Sequence, residues 1–190
     1  MSQELILIRH GRSAHVHAGW IDIHGFHRWR EAYEAAGILD SEVPPPEIRD
    51  RAGRAGIIVC SDARRALESA RRLAEGREVI VSPLLRELEL SPPALRAVRL
   101  PLAGWALSFG ISWLFRGITT WPHASEAEMV RVREAAEWLA GLAREHQAVA
   151  VVTHASFRSV LTRTLLAQGW TAGAGRRRSS HWSVWSLMRT

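Results

Sequence analysis

Lysine is absent from this sequence of 190 residues, so all 25 of its Lys and Arg positions are arginine. A formal charge of +6 is therefore carried by guanidinium groups, which match phosphate oxygens in pairs as an ammonium cannot. They are scattered along the chain and several face acidic neighbours, which argues for a solvated surface and against a nucleic-acid partner. Cysteine is nearly absent as well. Cys60 stands alone, which excludes an internal disulfide and a cysteine-rich metal site and fits a reducing, cytoplasmic compartment. The first residues lack the basic region and long apolar run of a signal peptide. No stretch suits a bilayer, because the least charged one, Leu100 to Phe115, is short and interrupted by Pro101, Gly104 and Gly110. Internal repeats and low-complexity segments are also missing.

What is present begins with Leu5-Ile6-Leu7-Ile8, four apolar residues in succession that read as a strand buried on both faces. It runs into Arg9-His10-Gly11, a cation, an imidazole and a residue without a side chain, which suits an anion site with close backbone approach at Gly11. A second such run, Ala148 to Thr153, ends in His154-Ala155. A third, Gly56 to Ser61, feeds Asp62 and then Arg64 and Arg65 at the head of a helical pattern. Open α/β sheets bind ligands at the carboxyl ends of their strands.

Between these runs the spacing predicts helices over Phe26 to Ala36, closed by Gly37, and over Glu47 to Arg54 after Pro44-Pro45-Pro46. A further helix extends to about Glu75, with Asp62 as its N-cap and Gly76 as its stop. Val79 to Val81 is a short strand leading to Leu84 to Leu90. Ser125-Glu126-Ala127-Glu128 is a capping box opening a helix to about Glu145. Phe157 to Gln168 is helical, Gly169 to Ser180 is a loop bearing Arg176-Arg177-Arg178, and Trp182 to Leu187 alternates like an edge strand. The whole predicts one α/β domain over residues 1–190 with a mostly parallel sheet flanked by helices. An apolar insertion at about 92–123 carries Trp105 and Trp113 and reads as a buried or lid-forming segment, or as a partner-binding or homodimer patch.

If these strand ends meet, His10 lies among Arg9, Arg64 or Arg65, and His154, surroundings suited to a phosphate monoester. Neighbouring cations keep an imidazole neutral and nucleophilic. His10 can then attack phosphorus, the arginines and His154 can stabilise the oxygens, and a carboxylic acid must protonate the leaving alkoxide. Glu87 is the best-placed candidate, with Glu89 in reserve. His15, His17, His24 and His27 invite a metal-site reading, but their spacing matches no zinc motif and no cysteine joins them.

Leu7-Ile8-Arg9-His10-Gly11-Arg12-Ser13 resembles the signature of the histidine phosphatase superfamily, the phosphoglycerate mutase-like proteins. Ser61-Asp62-Ala63-Arg64-Arg65 resembles its second motif, Leu85-Arg86-Glu87 its acid-bearing segment, Val151-Val152-Thr153-His154-Ala155 the segment of its second histidine, and Ser125-Glu126-Ala127 the start of a helix common in the family. The resemblance implies a three-layer phosphoglycerate mutase-like fold and a phosphatase without metal or other cofactor, with His10 as nucleophile and Glu87 as acid and then base. It selects Arg65 over Arg64 and implies phosphate binding by Arg9, Arg65 and His154, with Gly11 and Ser13 in the same motif. The substrate is then a phosphorylated small molecule or a phosphoprotein. The chain departs from mutases where it reads Leu88-Glu89-Leu90-Ser91 in place of a Gly-x-Trp-Glu segment, and where Val16 or its neighbours replace an asparagine. Those departures point away from a mutase. A non-catalytic member that binds a phosphorylated ligand or a partner is the alternative.

Overall fold

The apolar run at the start of the chain becomes the middle of a sheet. The structure, a computed structural model, describes residues 2–15, 19–89, 98–105, 107–108, 124–174 and 180–190. Its elements in chain order are β1 (Gln3–Arg9), α1 (Ile23–Ala35), α2 (Pro46–Gly53), β2 (Ile57–Ser61), α3 (Arg64–Ala74), β3 (Val79–Ser82), a 3₁₀ turn (Pro83–Leu85), α4 (Glu126–His146), β4 (Ala148–Thr153), α5 (Ala155–Ala167), β5 (Thr171–Ala172) and β6 (Val184–Arg189). The strands form one sheet in the order β3-β2-β4-β1-β6-β5. β3, β2, β4 and β1 run parallel, and β6 and β5 join antiparallel.

The pleat sends successive side chains of β1 to opposite faces. Leu5 and Leu7 pack with Val132, Leu139, Phe157 and Val160 of α4 and α5 on one face. Ile6 and Ile8 pack with Ile48, Ala66, Ala70 and Leu73 of α2 and α3 on the other. Each large apolar side chain buried in this way contributes about 1.5–3 kcal/mol. Double coverage is what an unbroken apolar run requires, and it yields the three layers.

Register then builds the site. Arg9 stands opposite Thr153 and Cys60 opposite Val152, so β1, β2 and β4 end at one edge and bring the residues after them together. Among the described residues no helix is long and apolar enough to cross a membrane.

Two local expectations are corrected. Asp62 does not cap α3: the N-cap is Ala63, with no side-chain bond, because the Asp62 carboxylate accepts from the Arg86 guanidinium. The helix runs to Ala74, with Glu75 as its C-cap in the left-handed region and Gly76 following at a φ of 91°, where the sequence places its end. The C-terminal strand is not at the sheet edge. β6 lies against β1, and the two-residue β5, inside the expected loop, takes the edge. Ser125 does cap α4, accepting from the Glu128 backbone N–H. Most of the 92–123 insertion, including Trp113, and Arg176 to Arg178 fall outside the described residues. Of the described part, Leu100 pairs with Ile21, and Trp105 is fully buried against Phe26 with its indole N–H donated to the Ile21 carbonyl.

Candidate active site

His10 follows β1 and is 1% exposed. Its Nδ1 lies 2.7 Å from the Gly11 carbonyl oxygen, which can only accept, so Nδ1 carries the proton and Nε2 the lone pair. Burial, with Arg65, Arg9 and His181 close by, holds the ring well below the usual imidazole range. It is therefore neutral at pH 7.

His154 follows β4 and meets His10 edge-on, with ring centroids 5.1 Å apart. Its Nδ1 accepts from the Arg65 guanidinium at 3.3 Å, which leaves Nε2–H to donate to the Ser61 hydroxyl at 3.0 Å. The resulting tautomer is the opposite of that on His10. Burial first, and then the nearby cations, holds this ring low as well.

Arg65, in the first turn of α3, is fully buried. It donates to the Tyr33 carbonyl and to both Glu34 oxygens, and its guanidinium lies 4.4 Å from the Tyr33 ring centre. Arg9 is half-buried, and its pKa is lowered mainly by loss of solvent, with Tyr33 and Glu87 acting in the opposite sense. Arg64 instead points outward to Glu68 at 2.7 Å, so of the two α3 candidates only Arg65 reaches the histidines.

Glu87 follows the 3₁₀ turn. Its carboxylate accepts the backbone N–H groups of Phe157 at 2.8 Å and Ser156 at 3.4 Å, taking the place of the side-chain cap that His154 does not provide for α5. Burial raises its pKa and outweighs those bonds. Two groups hold the turn in place. Arg131 of α4 donates to the carbonyls of Leu84, Arg86 and Glu87, and Thr153 donates to Leu85. Glu89 is exposed, and its N–H faces Glu128.

Gly11 donates its N–H to Ser69 at 2.9 Å, and Ser69 in turn donates to the Arg65 carbonyl. A Cβ at Gly11 would lie 2.7 Å from the Trp182 ring, so close packing demands glycine here. Ser13 is buried, bridged to Ile38, and accepts from the His15 N–H. His15 lies against Trp29, whereas His24 and His27 are exposed. Among the described residues no group of His, Cys, Asp and Glu is arranged to hold a metal.

Sequence reasoning missed two neighbours of the histidines. His181 lies 5.6 Å from His10 between ring centroids and is held at about 4, chiefly by burial and Arg9. Trp182 has a φ of 52°, unusual for a bulky residue, and its indole N–H is donated to Glu42, which also accepts from the Arg12 N–H. Both sit in a tight turn before β6; alternation marks Trp182 only as the start of a strand, and nothing marks His181.

A cavity of about 620 Å³ opens beside Glu87. Phe26, Trp29 and Tyr33 of α1 form one wall, and Arg64, Arg86 and Glu89 lie on its rim.

A model of the histidine phosphatase superfamily (branch 1) matches residues 5–187. No curated protein matches the chain. Among solved structures, a mycobacterial glucosyl-3-phosphoglycerate phosphatase is similar, with a TM-score of 0.60 and 20% identity over 99% of this chain and 91% of that one. A phosphoglycerate mutase from Bacillus anthracis gives 0.56 and 16% over 99% and 88%. A phosphoserine phosphatase mutant from Entamoeba histolytica gives 0.54 and 15% over 96% and 89%. These likenesses concern the fold.

Proposed function

The chain belongs to the histidine phosphatase superfamily (branch 1), and on that premise we propose that it is a metal-independent phosphomonoester hydrolase working through a phosphohistidine on His10. The observation that carries the reading is the hydrogen bond from His10 Nδ1 to the Gly11 carbonyl, which leaves Nε2 as a neutral nucleophile beside two arginines. Nε2 attacks phosphorus, the P–N bond forms and the ester P–O bond breaks. Arg9, Arg65 and His154 surround the oxygens that gather charge. Glu87, its pKa raised, gives its proton to the leaving alkoxide. The carboxylate so formed takes a proton from water, which attacks phosphorus, breaks the P–N bond and releases inorganic phosphate. Glu34, which occupies Arg65 in this structure, must yield to the substrate phosphate.

Two of the similar structures are of phosphatases, which supports the reaction class, and the substrate is a phosphorylated small molecule or a phosphoprotein. The test is hydrolysis of para-nitrophenyl phosphate in EDTA by the wild-type protein and by His10→Ala. Turnover that survives EDTA and vanishes in the variant is expected. Loss in EDTA would require a metal mechanism. No turnover by the wild type, with phosphate still bound, would favour the non-catalytic binding member.

A further inference from the structure

We infer that the alcohol released from the substrate is aromatic or bulky and apolar, and that it binds against Trp29 in the cavity beside Glu87. The inference rests on the phosphatase reading and specifies its substrate class. Glu87, the proposed acid, and Glu34, which holds the phosphate-binding Arg65, both line this cavity. The leaving group of an ester whose phosphate sits on Arg65 therefore enters it. About 620 Å³ is room for far more than a methyl or glyceryl group.

The wall facing that space is aromatic. Trp29 stacks on Tyr33 with centroids 5.1 Å apart and planes at 25°, and lies 5.8 Å from Phe26, which in turn packs on the fully buried Trp105. Rings braced in this way offer a preformed surface to another ring at little ordering cost. The charges point the same way. Three arginines line the cavity, Arg30, Arg64 and Arg86; Arg64 is held by Glu68 and Arg86 by Asp62, while Glu34, Asp62, Glu87 and Glu89 bring a larger number of carboxyl groups to the same space. A second phosphate or carboxylate on the substrate gains little there.

Benzyl phosphate and glycerol 3-phosphate release alcohols of similar acidity, so their comparison reads binding of the ring and not ease of departure. The wild type is expected to show kcat/KM at least about tenfold higher on benzyl phosphate, and Trp29→Leu to lose about tenfold on that ester with less than about threefold change on glycerol 3-phosphate. Equal rates on the two esters, or an equal loss on both in a variant with a wild-type melting curve, would overturn the inference and leave the phosphatase reading standing. A second measurement needs neither a variant nor turnover. Calorimetric titration of the wild type with benzylphosphonate and methylphosphonate should show the benzyl compound binding about tenfold tighter. Equal affinities would overturn the inference, whereas tighter benzyl binding without His10-dependent hydrolysis would retain the pocket and remove the reaction.

Discussion

Glu34 grips Arg65 with both carboxylate oxygens, at 3.2 and 3.3 Å, and so places an anion of the protein's own on the residue proposed to hold phosphate. Half of the Glu34 side chain is exposed, so solvent weakens the pair. In the proposed mechanism the contact is a competitor that phosphate displaces.

Replacing Glu34 with glutamine removes that competition. Inhibition by inorganic phosphate should strengthen by about two- to fivefold, within the range of exposed or partly exposed ion pairs. Phosphate inhibition constants for wild type and E34Q check this; an unchanged or weaker constant would mean that Glu34 helps to orient Arg65 for phosphate.

Glu87 as acid predicts a dependence on the leaving group. In Glu87→Gln, glycerol 3-phosphate hydrolysis should fall by about 10²–10⁴. Nitrophenolate leaves unaided, so rapid mixing should still show a burst of it, one per site, before slowed turnover. Glu89→Gln should stay within about twofold of wild type, since Glu89 is exposed. If E89Q shows the leaving-group dependence and E87Q does not, the acid has been misassigned.

Acidification should destabilise the fold through the buried imidazoles. His10, His154 and His181 are all held below the usual imidazole value, His181 at about 4. Below about pH 6.5 the unfolded chain takes up protons that the native one refuses, so stability falls toward pH 4. Glu87 has the opposite sign: its raised pKa contributes stability below about pH 4.5 that is lost as pH climbs through the native value. Urea midpoints at pH 7.5, 6 and 5 should decline, less steeply in His181→Asn; a midpoint that is flat or rises on acidification contradicts the burial described.

Gly11→Ala sets a methyl against the Trp182 ring, whose indole N–H is fixed on Glu42. Overpacking of this kind costs about 1–3 kcal/mol. Calorimetry should show a Tm lower by about 2–10 °C, and the added Trp182→Leu should recover part of it. No shift in Tm would mean that the turn at 181–182 gives way easily.

The sequence made the sheet legible where burial on both faces forces a continuous apolar run, as at Leu5 to Ile8 and Val149 to Val152. The residues ending those runs, His10 and His154, were legible with them, because strand ends in this fold class converge. Alternation at Trp182 to Leu187 announced a strand but says nothing about its neighbour, so the place of β6 beside β1 was out of reach. Asp62 looked like a cap because capping is a local preference, and Arg86, 24 residues further on, decides otherwise. Glu34 reads as one more charge on an ordinary amphipathic helix. Only the docking of α1 over Arg65 gives it a role.

The antiparallel seat of β6 also sets an order of assembly. The loop bearing His10 is propped by residues about 170 positions away: the Arg9 N–H donates to Ser183, the Trp182 N–H to the His10 carbonyl, and the Trp182 ring closes over Gly11. Contacts so distant in sequence form late. During synthesis β1 waits for a partner strand made long after it, with a bare hydrophobic edge open to other chains. The proposed nucleophile, made about 170 residues ahead of the turn that props it, is among the last groups to be armed.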